Sequence, residues 1–278
     1  MEILKRAVDF LTGNNSEAES VAGSPGGQGK LSREEVVQRL ETADGSDLGG
    51  FDLSGVDLSG LDLSRADLRD ADLSGADLRG SILRHVRLCG TRLAGANLSR
   101  ADLYDANCVT TGTRSPADLS RANLSEANLL GANLTRFDLR GADLSGATLR
   151  EASLHLAHLE GATLAGADIE GANLRHAKLQ GADLSGANLR TVDLAGTECA
   201  EANFSRANLT RANLDGATLT SADLSEADLT EASFVNAKLR GAKLTGARLT
   251  KADFDSAEVE EIELDGVDTS EAYHLARS

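Results

Sequence analysis

Large apolar side chains recur at every fifth position along most of this chain. Leucine or a substitute stands at Leu48 and each fifth residue to Cys108, and again from Leu119 to Leu264. The residue two places earlier is usually alanine, and a polar residue, often aspartate or asparagine, lies between them. A period of five fits neither an α-helix, with about 3.6 residues per turn, nor a flat β-strand. The pattern therefore predicts a solenoid, in which small units must stack to bury a core.

The repeated unit resembles the A(D/N)LXX consensus of the pentapeptide repeat family, as Ala182-Asp183-Leu184-Ser185-Gly186 illustrates. The resemblance implies an all-β solenoid, a right-handed quadrilateral parallel β-helix with four units per coil and about 11 coils. The residues agree with this fold. The leucine and the alanine point to the same, inner side of an extended segment because they are two residues apart. Glycine and asparagine suit the corners, because they accept turn dihedral angles easily.

The chain before the repeat divides into three predicted segments. Residues 1–12 carry a helical apolar stripe that includes Ile3, Leu4, Val8 and Leu11, which predicts an amphipathic helix. Two roles for it stay open: a terminus that is unanchored or folded back on the rod, or a docking peptide for a partner. Residues 13–30 have the composition of a flexible linker. A capping box at Ser32 predicts a helix within residues 31–45 that closes the N-terminal end of the rod.

The β-helix is predicted over residues 46–267, with an interruption at 109–117. The step from Cys108 to Leu119 is longer than the repeat allows, and the segment between them lacks the motif. An extruded loop and a bulge both fit this step, and Thr111, Thr113 and Arg114 are candidate interaction residues within it. Residues 268–278 are predicted to be a C-terminal cap or tail, with a short helix over 268–275 covering the last coil.

Charge narrows the classes of partner. The formal net charge of −16 argues against direct binding of nucleic acid, because that needs a basic surface. Outward residues from Leu119 to Leu264, taken in 20-residue turns, give the four faces charges of −3, −5, 0 and −2. Basic residues also gather along the sequence, and these are further candidates for interaction: Arg84, Arg87, Arg92, Lys243 and Arg248.

Cysteine usage and hydropathy indicate a compartment. Three cysteines at unrelated spacings predict no disulfide framework. Cys108 and Cys199 stand at leucine positions and are expected as small buried side chains, whereas Cys89 is expected to point outward. The chain has no apolar run long enough for a transmembrane helix, and its first residues lack the pattern of a secretory signal. These features together predict a cytoplasmic protein.

No catalytic motif accompanies the repeat. Phosphate-binding, nucleophile-elbow and zinc-protease signatures are absent from the sequence. A 20-residue coil brings His155, His158 and His176 near one corner, where three imidazoles are able to bind a metal. We expect surface histidines instead, because each stands at an ordinary repeat position. The sequence thus predicts a protein that is not an enzyme, with no catalytic residue, cofactor or metal.

Two functions remain open. The leading prediction is a rigid scaffold or adaptor that binds a protein partner through its faces, its loop or its N-terminal helix. The alternative rests on the resemblance alone. Some family members are similar to B-form DNA in shape and charge, bind DNA gyrase or another type II topoisomerase in its place, and protect it from inhibitors. A homodimer also stays open, although an acidic last coil disfavours end-to-end contact.

Overall fold

The computed structural model describes residues 27–42, 47–108 and 115–275. It contains one helix, α1 (Arg33–Leu40), within those residues, followed by a β-helix in which single residues form parallel bridges from coil to coil. Bridged residues such as Asp143 and Thr163 are 20 apart in sequence. Four five-residue units therefore make one coil, as predicted. Stacked at about 4.8 Å per coil, about 11 coils form a rod about 50 Å long.

The rod has four sides, which we number in chain order by their bridge residues. The first coils place these residues on sides one to four in turn: Asp52 and Asp72; Asp57 and Asp77; Asp62 and Ile82; Asp67 and Arg87. Each side continues through the same column in later coils. Residues five apart thus lie on adjacent sides, whereas residues 20 apart are direct neighbours.

A typical unit satisfies all of its backbone N–H groups, as the unit from Ala142 to Gly146 shows. The N–H of Ala142 closes the preceding turn at 3.0 Å. The N–H groups of Asp143, Leu144 and Gly146 donate to neighbouring coils at 2.9, 2.7 and 3.0 Å. The remaining N–H, from Ser145, donates to the side chain of Asp143 at 2.9 Å. Aspartate or asparagine is common at the outward position because it accepts the one N–H that stacking leaves over.

The last residue of each unit turns the corner with a positive φ. Gly146 has φ +65°, and non-glycine residues such as Arg121 and Glu126 adopt φ near +57° and +58° at the same place. A positive φ at the third residue of a turn is the mark of a type II turn. Glycine is frequent there because it lacks the Cβ that makes this region costly for other residues.

Leucine and alanine columns fill the inside of the rod. Leu184 and Ala182, for example, are 0% and 1% exposed. Phenylalanine replaces leucine near the C-terminal end, where the rings of Phe234 and Phe254 stack at 4.8 Å. The prediction that these positions face inward is confirmed. Each coil adds a further layer to the core, as in other solenoids.

The N-terminal end of the rod is covered by α1 and the residues before it. Ser32 caps α1 through a complete capping box, so the predicted helix is confirmed with the bounds Arg33–Leu40. Val36 of α1 is fully buried in the core cluster, and the guanidinium of Arg39 lies 4.4 Å from the ring centroid of Phe51. The predicted linker ends earlier than residue 30, because Lys30 forms a parallel bridge with Asp52.

The C-terminal helix predicted over residues 268–275 is wrong. Instead Ala272 and Tyr273 continue the repeat, and Tyr273 forms a bridge with Asp253. The N–H of Tyr273 donates to the carbonyl of Ala252 at 2.8 Å, and its own carbonyl accepts from Phe254 at 3.0 Å. Stacking on the previous coil satisfies these backbone groups and so overrides the local helical pattern.

The interruption is a six-residue insertion. The N–H of Gly90 donates to the carbonyl of Ser115 at 2.8 Å. In an unbroken repeat this N–H would donate to the carbonyl of the residue directly after Cys108. Bridges across this point join residues 26 apart, as in Arg92 with Asp118, in place of the usual 20. The repeat therefore resumes at Ser115, so the interruption is shorter than the predicted range of 109–117. The candidates Thr111, Thr113 and Arg114 lie outside the described residues, as do the predicted helix of residues 1–12 and most of the linker.

Two of the cysteine predictions are wrong. Cys89 is 4% exposed and does not point outward, and it forms a disulfide with Cys108. Cys108 occupies a leucine position with a shorter side chain, which leaves room for Cys89 of the preceding coil to turn inward. Cys199 is a free, buried cysteine, as expected. The disulfide removes the cysteine argument for a reducing compartment.

Candidate functional site

The three histidines do not converge on one point. The rings of His155 and His176 are 5.9 Å apart, and Nδ1 of His155 contacts the carbonyl oxygen of Arg175 at 2.9 Å. His158 lies on the first side, where its Nδ1 is 3.4 Å from Glu160. No group of three or more histidine, cysteine, aspartate or glutamate residues in the described ranges could hold a metal ion.

The basic residues that cluster in the sequence are spread around the rod. Arg87 and Arg92 bridge on the fourth and first sides, and Arg84 follows the bridge residue of the third side. Five-residue spacing has this effect, because it places successive residues on successive sides. Each guanidinium is also neutralised by a carboxylate of an adjacent coil: Arg84 by Asp102, Arg87 by Asp67 and Arg92 by Asp72.

The second basic group is also spread around the rod. Lys243 bridges Asp223 on the second side, and Arg248 bridges Asp228 on the third side. The guanidinium of Arg248 is 3.4 Å from the Asp228 carboxylate. These residues form part of a ring around the rod, and neither group makes a basic patch on one face.

Carboxylates on the first, third and fourth sides are commonly paired with arginine. On the third side Asp168 is 3.6 Å from Arg150, and on the fourth side Asp193 is 3.2 Å from Arg175. On the first side a hydrogen bond from Arg140 lowers the pKa of Asp138. These ion pairs reduce the charge that the three sides present to a partner.

On the second side Asp57 and Asp77 are paired with arginine, whereas three carboxylates further along the rod form no ion pair with a described residue. Asp143, Asp183 and Asp223 stand in one column on alternate coils and make no ion pair with any residue that the structure describes. Each accepts a backbone N–H two residues on through Oδ1. We call these three residues the acidic strip. Alternate coils separate its carboxylates by about 10 Å.

Small side chains flank the acidic strip. Asp143, Asp183 and Asp223 are each followed by a leucine and then a serine, and glycine follows the first two of these serines. Between them Thr163 and Asn203 complete the column. At one corner of this side Arg206 pairs with Glu226 at 3.0 Å. The strip therefore presents mainly carboxylates as charged groups, and Lys243 stands beside Asp223 in the next coil. The sequence predicted that the four faces differ in net charge. The face with the most negative predicted sum is this second side.

These features define a class: a four-sided parallel β-helix built from five-residue units, which presents its chemistry on flat outer sides. The chain belongs to the pentapeptide repeat family. The family model for pentapeptide repeats matches in 8 copies, over residues 44–75, 81–109, 117–155, 157–196, 197–234 and 232–268.

Solved structures of other proteins are similar to the chain. HetL, a pentapeptide repeat protein involved in heterocyst differentiation regulation from the cyanobacterium Nostoc, is 30% identical, with 88% of this chain and 100% of HetL covered and a TM-score of 0.45. QnrB1, a plasmid-mediated fluoroquinolone resistance protein, is 21% identical, with 78% and 89% covered and a TM-score of 0.39. A thylakoid lumen protein of Arabidopsis thaliana is 34% identical over 41% of this chain and 68% of its own, with a TM-score of 0.22.

No curated protein sequence matches the chain. Within the described residues, no helix has the length and apolar character needed to cross a membrane.

Proposed function

We propose that this protein is a non-enzymatic scaffold that binds a positively charged protein partner along the second side of its rod. The observation that supports this proposal is the acidic strip of Asp143, Asp183 and Asp223, whose carboxylates lack cationic partners in the described structure. A partner that presents lysine or arginine side chains at a spacing of about 10 Å, two coils, would pair with all three.

The rod is suited to such binding because it is ordered before the partner arrives. Its coils are held by regular backbone hydrogen bonds, so little conformational freedom is lost on association. A single exposed ion pair contributes only about 0–1 kcal/mol. Several pairs on one rigid surface act together, and they also steer the approach of the partner at low ionic strength. Binding should therefore weaken as salt rises, because exposed charges are screened.

Neutralising the strip tests the proposal. In the variant Asp143→Asn/Asp183→Asn/Asp223→Asn each side chain keeps an oxygen that accepts the turn N–H, so the fold should be retained. Asp52→Asn/Asp62→Asn/Asp118→Asn is the matched control. The control removes the same number of negative charges as the strip variant, but from the first and third sides of the rod. Its three aspartates accept the same kind of turn N–H.

The readout is quantitative mass spectrometry of proteins that co-purify with each form at low salt. We expect at least one protein to be retained by the wild type and the control but lost from the strip variant. Equal retention of every partner by the strip variant would refute binding through the second side.

The second candidate function is binding to DNA gyrase or another type II topoisomerase as a mimic of DNA. It is favoured by the regular spacing of the strip carboxylates on a chain of net charge −16. Arginine pairs on all four sides disfavour it, because they interrupt a continuous negative field. A supercoiling assay with purified gyrase and a quinolone decides between the candidates. No inhibition and no drug protection at micromolar protein would exclude the mimic.

Three related proposals have their own tests. A cytoplasmic location is tested by fractionating cells that express the native protein. A homodimer is tested by sedimentation at several protein concentrations. Recruitment through the N-terminal segment is tested by deleting residues 1–11, and unchanged partners after the deletion would contradict it.

A further inference from the structure

An exposed apolar patch lies on the third side of the rod, away from the acidic strip. In the part of the chain that the structure describes, the exposed large hydrophobic residues are Ile82, Tyr104 and Tyr273, at 39%, 38% and 51%. Tyr273 is near the C-terminal end, whereas Ile82 and Tyr104 lie in adjacent coils. Apolar side chains grouped in this way on a polar rod commonly mark a contact surface.

These side chains lie on one surface, on either side of the Arg84–Asp102 ion pair. Ile82 bridges Asp102, and Tyr104 is two residues beyond Asp102, so both side chains point outward from the same side. The coil after Tyr104 places Leu130 directly beneath it, because the N–H of Asp105 donates to the Leu130 carbonyl at 3.1 Å. We call Ile82, Tyr104 and Leu130 the third-side patch.

The patch departs from the repeat at a cost to the rod. In its column Ile82 follows Asp62 and precedes Asp102, and the carboxylate of Asp62 accepts a turn N–H at 2.9 Å. Isoleucine cannot accept the corresponding N–H from Arg84. The ring of Tyr104 packs edge-on against His85 with centroids 5.5 Å apart, which holds it in place while leaving it exposed. An apolar occupant would gain free energy by burying the Ile82 and Tyr104 side chains.

We propose that the occupant is the N-terminal segment of the same chain, residues 3–11. Its sequence carries an apolar stripe of Ile3, Leu4, Val8 and Leu11, and such a stripe is buried when it packs on an apolar surface. The stripe and the patch are complementary in polarity. The scaffold function does not depend on this contact, since the acidic strip is on another side.

The length of the tether allows contact within one molecule. Residues 12–26 join the segment to Gln28, whose N–H donates to the Gly50 carbonyl at the corner between the fourth and first sides. Tyr104 is at the corner between the third and fourth sides, so a single side separates them. Counted from Gln28, which stacks one coil before Gly50, the patch lies about three to five coils further on, about 12–23 Å along the axis.

A chain of about 15 residues with the composition of a linker has an average reach of about 20 Å. A short tether also holds the segment at an effective concentration in the millimolar range. That favours the patch of its own molecule over the patch of a second copy.

Hydrogen exchange of the full chain tests the contact. Ile82→Asn/Tyr104→Ser removes the patch and introduces residues typical of these repeat positions, so the rod should remain folded. Tyr273→Ser, at the remaining exposed hydrophobic residue, is the control. We expect residues 3–11 of the wild type to exchange at least about tenfold more slowly than a synthetic peptide of residues 1–12. The patch variant should exchange at the rate of the peptide, and the control should match the wild type.

Three results would overturn the proposal. In the first, residues 3–11 of the wild type exchange as fast as the peptide. In the second, their protection survives in the patch variant. Alternatively, protection would rise with protein concentration together with a dimer in sedimentation, which would assign the patch to a second copy.

Discussion

Cys108 occupies a leucine position of the core and is bonded to Cys89 in the coil before it. Cys199 is therefore the single free thiol of the chain, and burial raises its pKa to about 12. We expect no thiol labelling of the folded, unreduced protein at pH 8. Denaturation alone should expose one thiol to the label, and denaturation with reduction should expose three. Mass spectrometry of the labelled protein measures this. Three labels on the denatured but unreduced protein would contradict the bond.

Adjacent residues of one unit should respond very differently to a charge. Leu184→Asp places a carboxylate in a core position that is 0% exposed, which should cost several kcal/mol. Ser185→Asp places the same group on the outside and should change stability by about 0.5 kcal/mol or less. Thermal unfolding followed by circular dichroism gives the comparison. Equal melting temperatures would show that the inward and outward phases are wrongly assigned.

Two corner glycines at similar φ should differ in their tolerance of alanine. A Cβ at Gly166 meets nothing within 4 Å, whereas a Cβ at Gly196 would lie 2.5 Å from Nδ1 of His176. Gly166→Ala should therefore cost only the backbone strain of a positive φ, about 1 kcal/mol, and Gly196→Ala should cost more. Adding His176→Ala should remove the excess in a double-mutant cycle. A cost at Gly196 that persists without His176 would refute the steric explanation.

The pair of His274 and Asp253 should stabilise the last coil over a limited pH range. A hydrogen bond between Nδ1 and the carboxylate, 2.7 Å long, raises the pKa of His274 above 6.5 and lowers that of Asp253 below 3.8. The contribution of the histidine is complete below pH 6.5 and is lost as the pH rises through its raised pKa. The contribution of the aspartate is lost as the pH falls through its lowered pKa.

NMR titration of the His274 ring measures this coupling. In Asp253→Asn the pKa of His274 should fall, because the carboxylate that raises it is removed. The introduced amide still offers an oxygen to the N–H of Asp255, a bond that Asp253 accepts at 3.0 Å, so the turn should be kept. An unchanged pKa of His274 would mean that the two groups do not interact in solution.

The candidate site was only partly predictable from sequence. Summing charge by face identified the most negative side, because the 20-residue coil follows from the repeat. The sum did not reveal that Asp143, Asp183 and Asp223 lack partners in the described structure, since pairing depends on which side chains of adjacent coils reach each other. Likewise Arg84, Arg87 and Arg92 are close in sequence but lie on different sides of the rod.

The sequence by itself determined the β-helix, the inward and outward phases and helix α1. Each depends on local preferences: a five-residue alternation of burial, a corner with positive φ and a capping box at Ser32. The tertiary structure alone decided where the repeat resumes after the interruption, the disulfide, the continuation of the repeat to Tyr273 and the placement of Ile82 near Tyr104. Stacking joins residues 20 or 26 apart, and the contacts between those neighbours outweigh what any short segment favours alone.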